Sequence, residues 1–360
     1  ARPRRSRGSS MMSKGLSGID LAHLAIDDIR RIFSYDDRDL LEEMARAARE
    51  LTRRQFGRAI SLYAPLYIAN YCENECVYCG FHASSKIIPR SKLTMDQIDR
   101  ECAALAATGI RSCLILTGES RFHSPPQYIR DACIIASRYF PYVAVEVYPL
   151  EEHEYRELYL AGVDGVTIYQ ETYDRARYDE LHLAGPKKVY DYRVEAPDRV
   201  ARSGMRQISM GVLLGLTDWR QDIMALFEHV RHLEREYPGV EFGLAFPRLR
   251  RVADDEHHYI EVSDKEMFKI MCAARLFFPR AGISISTREL PAFRDRIIEF
   301  GVTKMSAGSS TRVGGYVERS EYDDGQFQVH DPRSFDEVKA MLMAKGFDPV
   351  VTEWRNIVNS

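Results

Sequence analysis

The sequence predicts an α/β fold, a (β/α)8 TIM-like barrel with a helical extension ahead of it. Three observations carry that prediction. From residue 59 onward, short apolar runs alternate with stretches of helical period, eight pairs in all. The runs are apolar throughout, as strands buried on both faces are. Polar residues gather just beyond the end of each run, where the mouth of such a barrel lies. The 360 residues suffice for a barrel in one domain. An open, doubly wound sheet is the competing arrangement for the same alternation.

Residues 1–19 read as a tag and disordered N-terminus, because the basic run Arg2-Pro3-Arg4-Arg5-Ser6-Arg7 and Gly8-Ser9-Ser10 precede Met11 and Met12. Residues 20–58 form the helical extension: Ile26, Ile29, Ile32 and Phe33 keep one helical period, Leu40, Leu41, Met44 and Ala48 a second, and residues 36–39 mark a helix start. The barrel proper spans 59–347. Its strands are expected at 60–69, 113–116, 143–147, 165–169, 208–214, 240–246, 283–286 and 304–307. Its helices are expected at 95–107 with Thr94 as N-cap, 126–139, 151–160 ended by Gly162, and 197–202 with Pro197 early and Gly204 closing. Four more follow at 220–236, 264–278 capped by Ser263, 291–300 and 335–345. Residues 348–360 are left as a C-terminal tail.

Hydrophobic content of 45% and charged content of 29% are those of an ordinary globular chain. A net charge of −3 implies no nucleic-acid partner, and no apolar run is long enough to span a membrane. Seven cysteines, an odd number, argue against a disulfide framework and for a reducing cytoplasm. Cys102, Cys113, Cys133 and Cys272 sit among apolar residues and read as buried thiols.

The other three lie in Tyr71-Cys72-Glu73-Asn74-Glu75-Cys76-Val77-Tyr78-Cys79-Gly80-Phe81, spaced C-x3-C-x2-C. Three thiolates on one loop can hold three corners of an iron–sulfur cube and leave one iron open. An open metal position is where chemistry happens, and the reading adopted is that this iron binds S-adenosylmethionine. A Cys3His zinc site with His82, or three unrelated thiols, are the plainer readings, although a zinc ribbon would draw on two knuckles and only one is present.

The predicted strand ends carry Tyr67 and Asn70, Thr117-Gly118-Glu119, Glu146 and Tyr148, Gln170-Glu171, Gly215, Arg248 and Arg250, Thr287-Arg288-Glu289, then Ser306, Ser309 and Ser310. So many ionisable groups suit a zwitterionic ligand, with carboxylates facing ammonium and arginines facing carboxylate. Structural readings stand beside these. Glu119 could cap a helix, Arg248 or Arg250 could be exterior charges, Arg288 could pair with Glu289, and Gly215 could serve a tight turn. Gly118 would let backbone approach a ligand closely.

The cysteine loop after the first strand, with Gly118-Glu119 after the second, resembles the radical S-adenosylmethionine superfamily. Pro65-Leu66-Tyr67-Ile68-Ala69-Asn70, Tyr169-Gln170-Glu171-Thr172-Tyr173, Glu195-Ala196-Pro197-Asp198-Arg199, Phe246-Pro247-Arg248-Leu249-Arg250 and Ser286-Thr287-Arg288-Glu289 resemble its aromatic amino acid lyase branch. The resemblance implies a [4Fe-4S] cluster on Cys72, Cys76 and Cys79, reductive cleavage of S-adenosylmethionine, and scission of the Cα–Cβ bond of tyrosine to p-cresol and dehydroglycine. The partners it implies are L-tyrosine, a flavodoxin- or ferredoxin-type reductant and a thiazole synthase. It places Tyr78 against the adenine, Glu119 and Glu146 at the methionine or ribose portion, and Arg193 at the methionine carboxylate. Arg288 and Ser306 would hold the tyrosine carboxylate, with Tyr67 beside it. Relatives in this branch cleave tryptophan, or cleave tyrosine during hydrogenase maturation with a second cluster on C-terminal cysteines. No cysteine follows Cys272 here.

Overall fold

The computed structural model describes residues 18–249, 259–317 and 325–351. Residues 1–17, with most of the expected tag, and Arg250 lie outside the described residues.

Two helices, α1 (Ile26–Ser34) and α2 (Arg38–Phe56), come first, and Asp37 caps α2 by accepting from the Leu40 amide. The chain then runs β1 (Ala59–Ala69), α3 (Met95–Ala107), β2 (Ser112–Thr117), α4 (Pro126–Ala136), β3 (Tyr142–Glu146), α5 (Glu152–Leu160) and β4 (Gly165–Glu171). Three short helices follow, α6 (Arg175–Leu181), α7 (Tyr190–Val194) and α8 (Ala196–Arg202). Next come β5 (Gln207–Val212), α9 (Trp219–Glu236), β6 (Glu241–Ala245), α10 (Asp264–Phe277), β7 (Gly282–Ile285), α11 (Pro291–Ile297), β8 (Lys304–Ser306), α12 (Phe335–Ala344) and β9 (Asp348–Val350).

Strands β2 to β8 pair in chain order, β8 pairs with β1, and β1 returns to β2, all parallel. The ring is closed, so the fold is the eight-stranded barrel and not the open doubly wound sheet. Capping boxes at Thr94 with Gln97, Ser263 with Glu266 and Ser334 with Glu337 start α3, α10 and α12, each stabilising its helix by about 1 kcal/mol. The extension packs on the barrel helices, with Phe33 edge-on to Trp219 at 4.9 Å and Arg220 Nε donating to the Phe33 carbonyl at 3.1 Å. The first three residues of the expected tail form β9, which adds to the start of β1 beside an Arg58–Asp348 ion pair of 3.2 Å. Among the described residues no helix is long and apolar enough to cross a membrane.

The two faces of the strands differ. In β1, Ile60, Leu62, Ala64 and Leu66 are buried against helices, while Ser61, Tyr63 and Pro65 line open space inside the ring. Inner positions of β5, β6 and β7 hold Gln207, Ser209, Gly211, Gly243, Gly282 and Ser284. A side chain at Gly211 would meet the Ala245 carbonyl at 2.2 Å and the Tyr169 ring at 2.6 Å, so the glycine leaves room for that ring. The barrel core lies outside the ring, and the bore is hollow. Two adjoining cavities, one smaller and one larger, occupy its C-terminal end.

Candidate active site

Cys72, Cys76 and Cys79 line the smaller cavity together, and all three thiols are unbridged. Their loop is held on both sides. On one, the Glu75 amide donates to the Ala184 carbonyl at 3.0 Å, Leu183 to Glu75 at 2.9 Å and Val77 to Leu181 at 3.1 Å. On the other, Arg90 Nη1 donates to the carbonyls of Asn70 at 2.8 Å and Phe81 at 3.0 Å. Gly118 closes the inner edge: its amide donates to the Ala69 carbonyl at 2.9 Å, and a Cβ there would stand 2.3 Å from the Tyr71 carbonyl oxygen. That glycine is required by chain against chain, and its own backbone lines the cavity. His82 turns away, its Nδ1 3.2 Å from Glu75 Oε2 and 3.1 Å from Ser84 Oγ.

Among the described residues no three His, Cys, Asp or Glu side chains are gathered as for a single metal ion. The three thiols surround a cavity instead, a spread that fits a body larger than one zinc, whose thiolates would lie ~2.3 Å from the metal. Burial pushes the Cys72 thiol up to about 11 and Cys76 higher still, so binding of a cluster would displace protons from them. The donor set fits a cluster with one open iron.

Beside the thiols stands an ionic cage. Arg193 Nη1 donates to Glu119 Oε1 at 3.0 Å, and Arg193 Nε to the Tyr169 carbonyl at 2.7 Å. Lys187 Nζ lies 2.7 Å from Glu171 Oε1 and 3.6 Å from Glu119 Oε1. Asn74 joins the cage to the cysteine loop, donating to Glu119 Oε2 at 2.9 Å and accepting from the Lys187 amide at 2.8 Å. Burial works against the Glu119 charge, but Arg193 and Lys187 outweigh it and hold the carboxyl down to about 2. They act on Glu171 in the same direction, against the same burial. Glu171 is the one described non-glycine residue with positive φ, at 71°, where the β4–β5 register slips. That bulge turns its carboxylate towards the bore. The cage is charge-balanced, and its facing carboxylates and cations suit an amino-acid headgroup.

The larger cavity shares Tyr67, Cys79, Leu116, Glu146, Tyr169 and Gln326 with the smaller. Arg288 lines its far side, with its guanidinium carbon 3.8 Å from the Phe327 ring centroid. Among the described residues no carboxylate forms a salt bridge with Arg288, and burial holds its pKa below the ordinary value. Glu289 pairs instead with Arg248, at 2.9 Å from Nε, and Arg248 also reaches Asp264 at 2.9 Å. Arg248 is therefore a structural ion pair.

Ser306 Oγ lines the cavity and accepts from the Thr287 amide at 2.9 Å, fixing the strand end that carries Arg288. Tyr67 donates to Gln326 Oε1 at 2.7 Å. Burial, reinforced by Glu171, pushes the Glu146 carboxyl up to about 7. Tyr78 lines this cavity too, and its hydroxyl lies 2.7 Å from His182 Nε2. His182 Nδ1 faces the Tyr178 carbonyl at 2.7 Å and must donate there, so Nε2 accepts and Tyr78 donates. Burial, then Lys187, lowers His182 to about 4, and it stays neutral.

Cys72, Cys76, Cys79, Tyr67, Tyr78, Gly118, Glu119, Glu146, Arg193, Arg288 and Ser306 thus line one of the two cavities, whereas Asn70, Tyr148, Gln170, Gly215 and Arg248 of the strand-end residues line neither. Lys187, His182 and Gln326 went unnamed because no motif marks them; each stands far along the chain from the cysteines it serves.

A closed parallel barrel with three thiols at its C-terminal mouth defines a radical S-adenosylmethionine protein. The model of the Radical SAM superfamily matches residues 66–228, and that of the Biotin and Thiamin Synthesis associated domain matches residues 245–348. The chain is 38% identical over 339 residues to the 2-iminoacetate synthase of Salmonella typhimurium, covering 93% of this chain and 89% of that protein, and equally so to that of Escherichia coli. It belongs to the 2-iminoacetate synthase family of radical SAM lyases. Among solved structures, HydG, a maturase of the [FeFe]-hydrogenase, superposes with a TM-score of 0.87 at 34% identity, over 92% of this chain and 74% of HydG. Methylornithine synthase (PylB) shares the fold, with a TM-score of 0.73 at 19% identity over 94% of this chain and 96% of its own.

Proposed function

We propose that the chain cleaves the Cα–Cβ bond of L-tyrosine to 2-iminoacetate and p-cresol, consuming S-adenosylmethionine, for the thiazole moiety of thiamine. The observation that carries the substrate reading is Arg288, a guanidinium inside the bore without a carboxylate partner among the described residues, across the larger cavity from the thiols. A substrate carboxylate would pair with it bidentately. Ser306 holds the strand end that aims it, and Tyr67 stands where the two cavities meet. The rings of Tyr63, Tyr67, Tyr169 and Phe327 with Leu114 and Leu213 give an aromatic side chain an apolar seat.

Cys72, Cys76 and Cys79 would hold the [4Fe-4S] cluster, which together with S-adenosylmethionine supplies the radical that takes hydrogen from the substrate. Glu119, Glu171, Lys187 and Arg193 would orient the methionine headgroup, and Tyr78 the nucleoside side. Glu146, titrating near neutrality at the junction of the cavities, is placed to exchange a proton with the substrate ammonium. A flavodoxin or ferredoxin would supply electrons, and a thiazole synthase would take up 2-iminoacetate. A reducing cytoplasm would suit the unbridged cysteines and an oxygen-sensitive cluster.

The test is anaerobic incubation of the reconstituted chain with tyrosine, S-adenosylmethionine and a reductant, with p-cresol and 5′-deoxyadenosine as readouts. Both are expected, and Cys76→Ala should lose both together with its iron. 5′-Deoxyadenosine without p-cresol would reject tyrosine and keep the radical chemistry; tryptophan is then the substrate to try.

A further inference from the structure

One side chain bridges the cysteine loop and the substrate cavity. Gln326 Oε1 accepts from the Tyr67 hydroxyl at 2.7 Å, and Gln326 Nε2 lies 3.7 Å from Cys79 Sγ. The orientation of the amide follows from its two neighbours. Reversed, it would set its oxygen against the cysteine sulfur, two acceptors facing each other. The backbone around it is pinned: the Gln326 amide donates to the Thr311 carbonyl at 3.0 Å, and Thr311 Oγ1 donates to the Phe327 carbonyl at 2.9 Å. The Gln326 carbonyl abuts the cysteine loop, 3.0 Å from where a Cβ at Gly80 would stand. The next residue, Phe327, is the ring under Arg288.

We propose that Gln326 is a positioning residue for the cluster: its amide N–H donates to the Cys79 thiolate, favours the reduced cluster, and is held in that orientation by Tyr67. This rests on the reading that Cys79 is a cluster ligand. Reduction adds negative charge to the cluster and its sulfurs. A donor aimed at one sulfur stabilises the reduced form more than the oxidised one and raises the potential. Tyr67 faces the substrate cavity, so the same amide ties the cluster environment to what occupies that cavity.

The experiment is a redox titration of the anaerobically reconstituted full chain, following the paramagnetic resonance of the reduced cluster. Gln326→Leu should keep its iron and sulfide while the ratio of reduced to oxidised cluster at a fixed potential falls about tenfold, ~59 mV for one electron. Gln326→Glu, which keeps the shape and loses the N–H donors, should shift at least as far. Tyr67→Phe should shift in the same direction by less, because the donor remains but loses its guide. An unchanged potential in both Gln326 variants overturns the proposal. So does loss of iron from both, which would make Gln326 a prop of the loop. A wild-type chain that binds no cluster defeats the reading beneath this one as well, whereas a wild-type cluster that leaves tyrosine intact defeats only the substrate assignment.

Discussion

Arg288 and Lys187 differ in what they lack. Among the described residues Arg288 stands without an anion, so its removal should be felt by substrate alone. Hydrogen bonds to charged groups contribute ~1.5–3 kcal/mol each, so Arg288→Gln should raise the KM for tyrosine about 10- to 100-fold. Release of 5′-deoxyadenosine in the absence of tyrosine should persist, which steady-state assays with and without substrate would check. Lys187 lies between two carboxylates, Glu171 at 2.7 Å and Glu119 at 3.6 Å. Lys187→Met leaves two buried acids sharing one arginine, and both carboxyl pKa values should rise. Affinity for S-adenosylmethionine should drop roughly tenfold or more at unchanged iron content, read by equilibrium binding. Arg288 was legible in the sequence as a cation at a strand end. Lys187 was not, because its role depends on a turn that brings the chain back across the mouth.

The end of β4 shows how an element is made to hold an uncommon conformation. Glu171 has φ of 71°, and the residues after it are clamped to α9: Asp222 Oδ1 accepts from Thr172 Oγ1 at 2.9 Å and from the Tyr173 amide at 2.7 Å. Burial pushes the Asp222 carboxyl from 3.8 up to about 7, despite those two donors. The folded chain then binds this proton more tightly than the unfolded chain, so stability falls as pH rises from about 4 to about 7. Asp222→Asn keeps both accepted bonds and removes the titration. Its unfolding free energy should gain on wild type between pH 5 and pH 8, by up to about 3 kcal/mol, as calorimetry across that range would show. Asp222→Leu removes the clamp and should cost affinity for S-adenosylmethionine as well. Periodicity and capping residues made most strands and helices legible: Thr94, Ser263 and Gly162 stand where the rules put them. Helices α6 and α7 were missed because they are one or two turns long, too short for a period to show. Strand β9 was missed because three residues make no alternation.

Across the whole molecule the two ends of the barrel divide their duties. Strand β9 and the Arg58–Asp348 pair sit at the start of β1, the end away from the thiols. A chain cut after residue 347 should lose a few °C in thermal midpoint, from ~1–2 kcal/mol of strand pairing, and cleave tyrosine at the wild-type rate. The hollow bore could not be read from strand patterns, because a small inner residue and a turn residue look alike in sequence; only closure of the ring gives Gly211 and Ser284 their meaning. Stability resides in the casing, in contacts such as those of Ile60, Leu62 and Leu66 with the helices behind them. The lining adds a small cluster around Tyr67, Phe81 and Leu116. Such a molecule can be relined for a different guest while its walls stay as they are, so descendants of one barrel could diverge in what they cut without first becoming fragile.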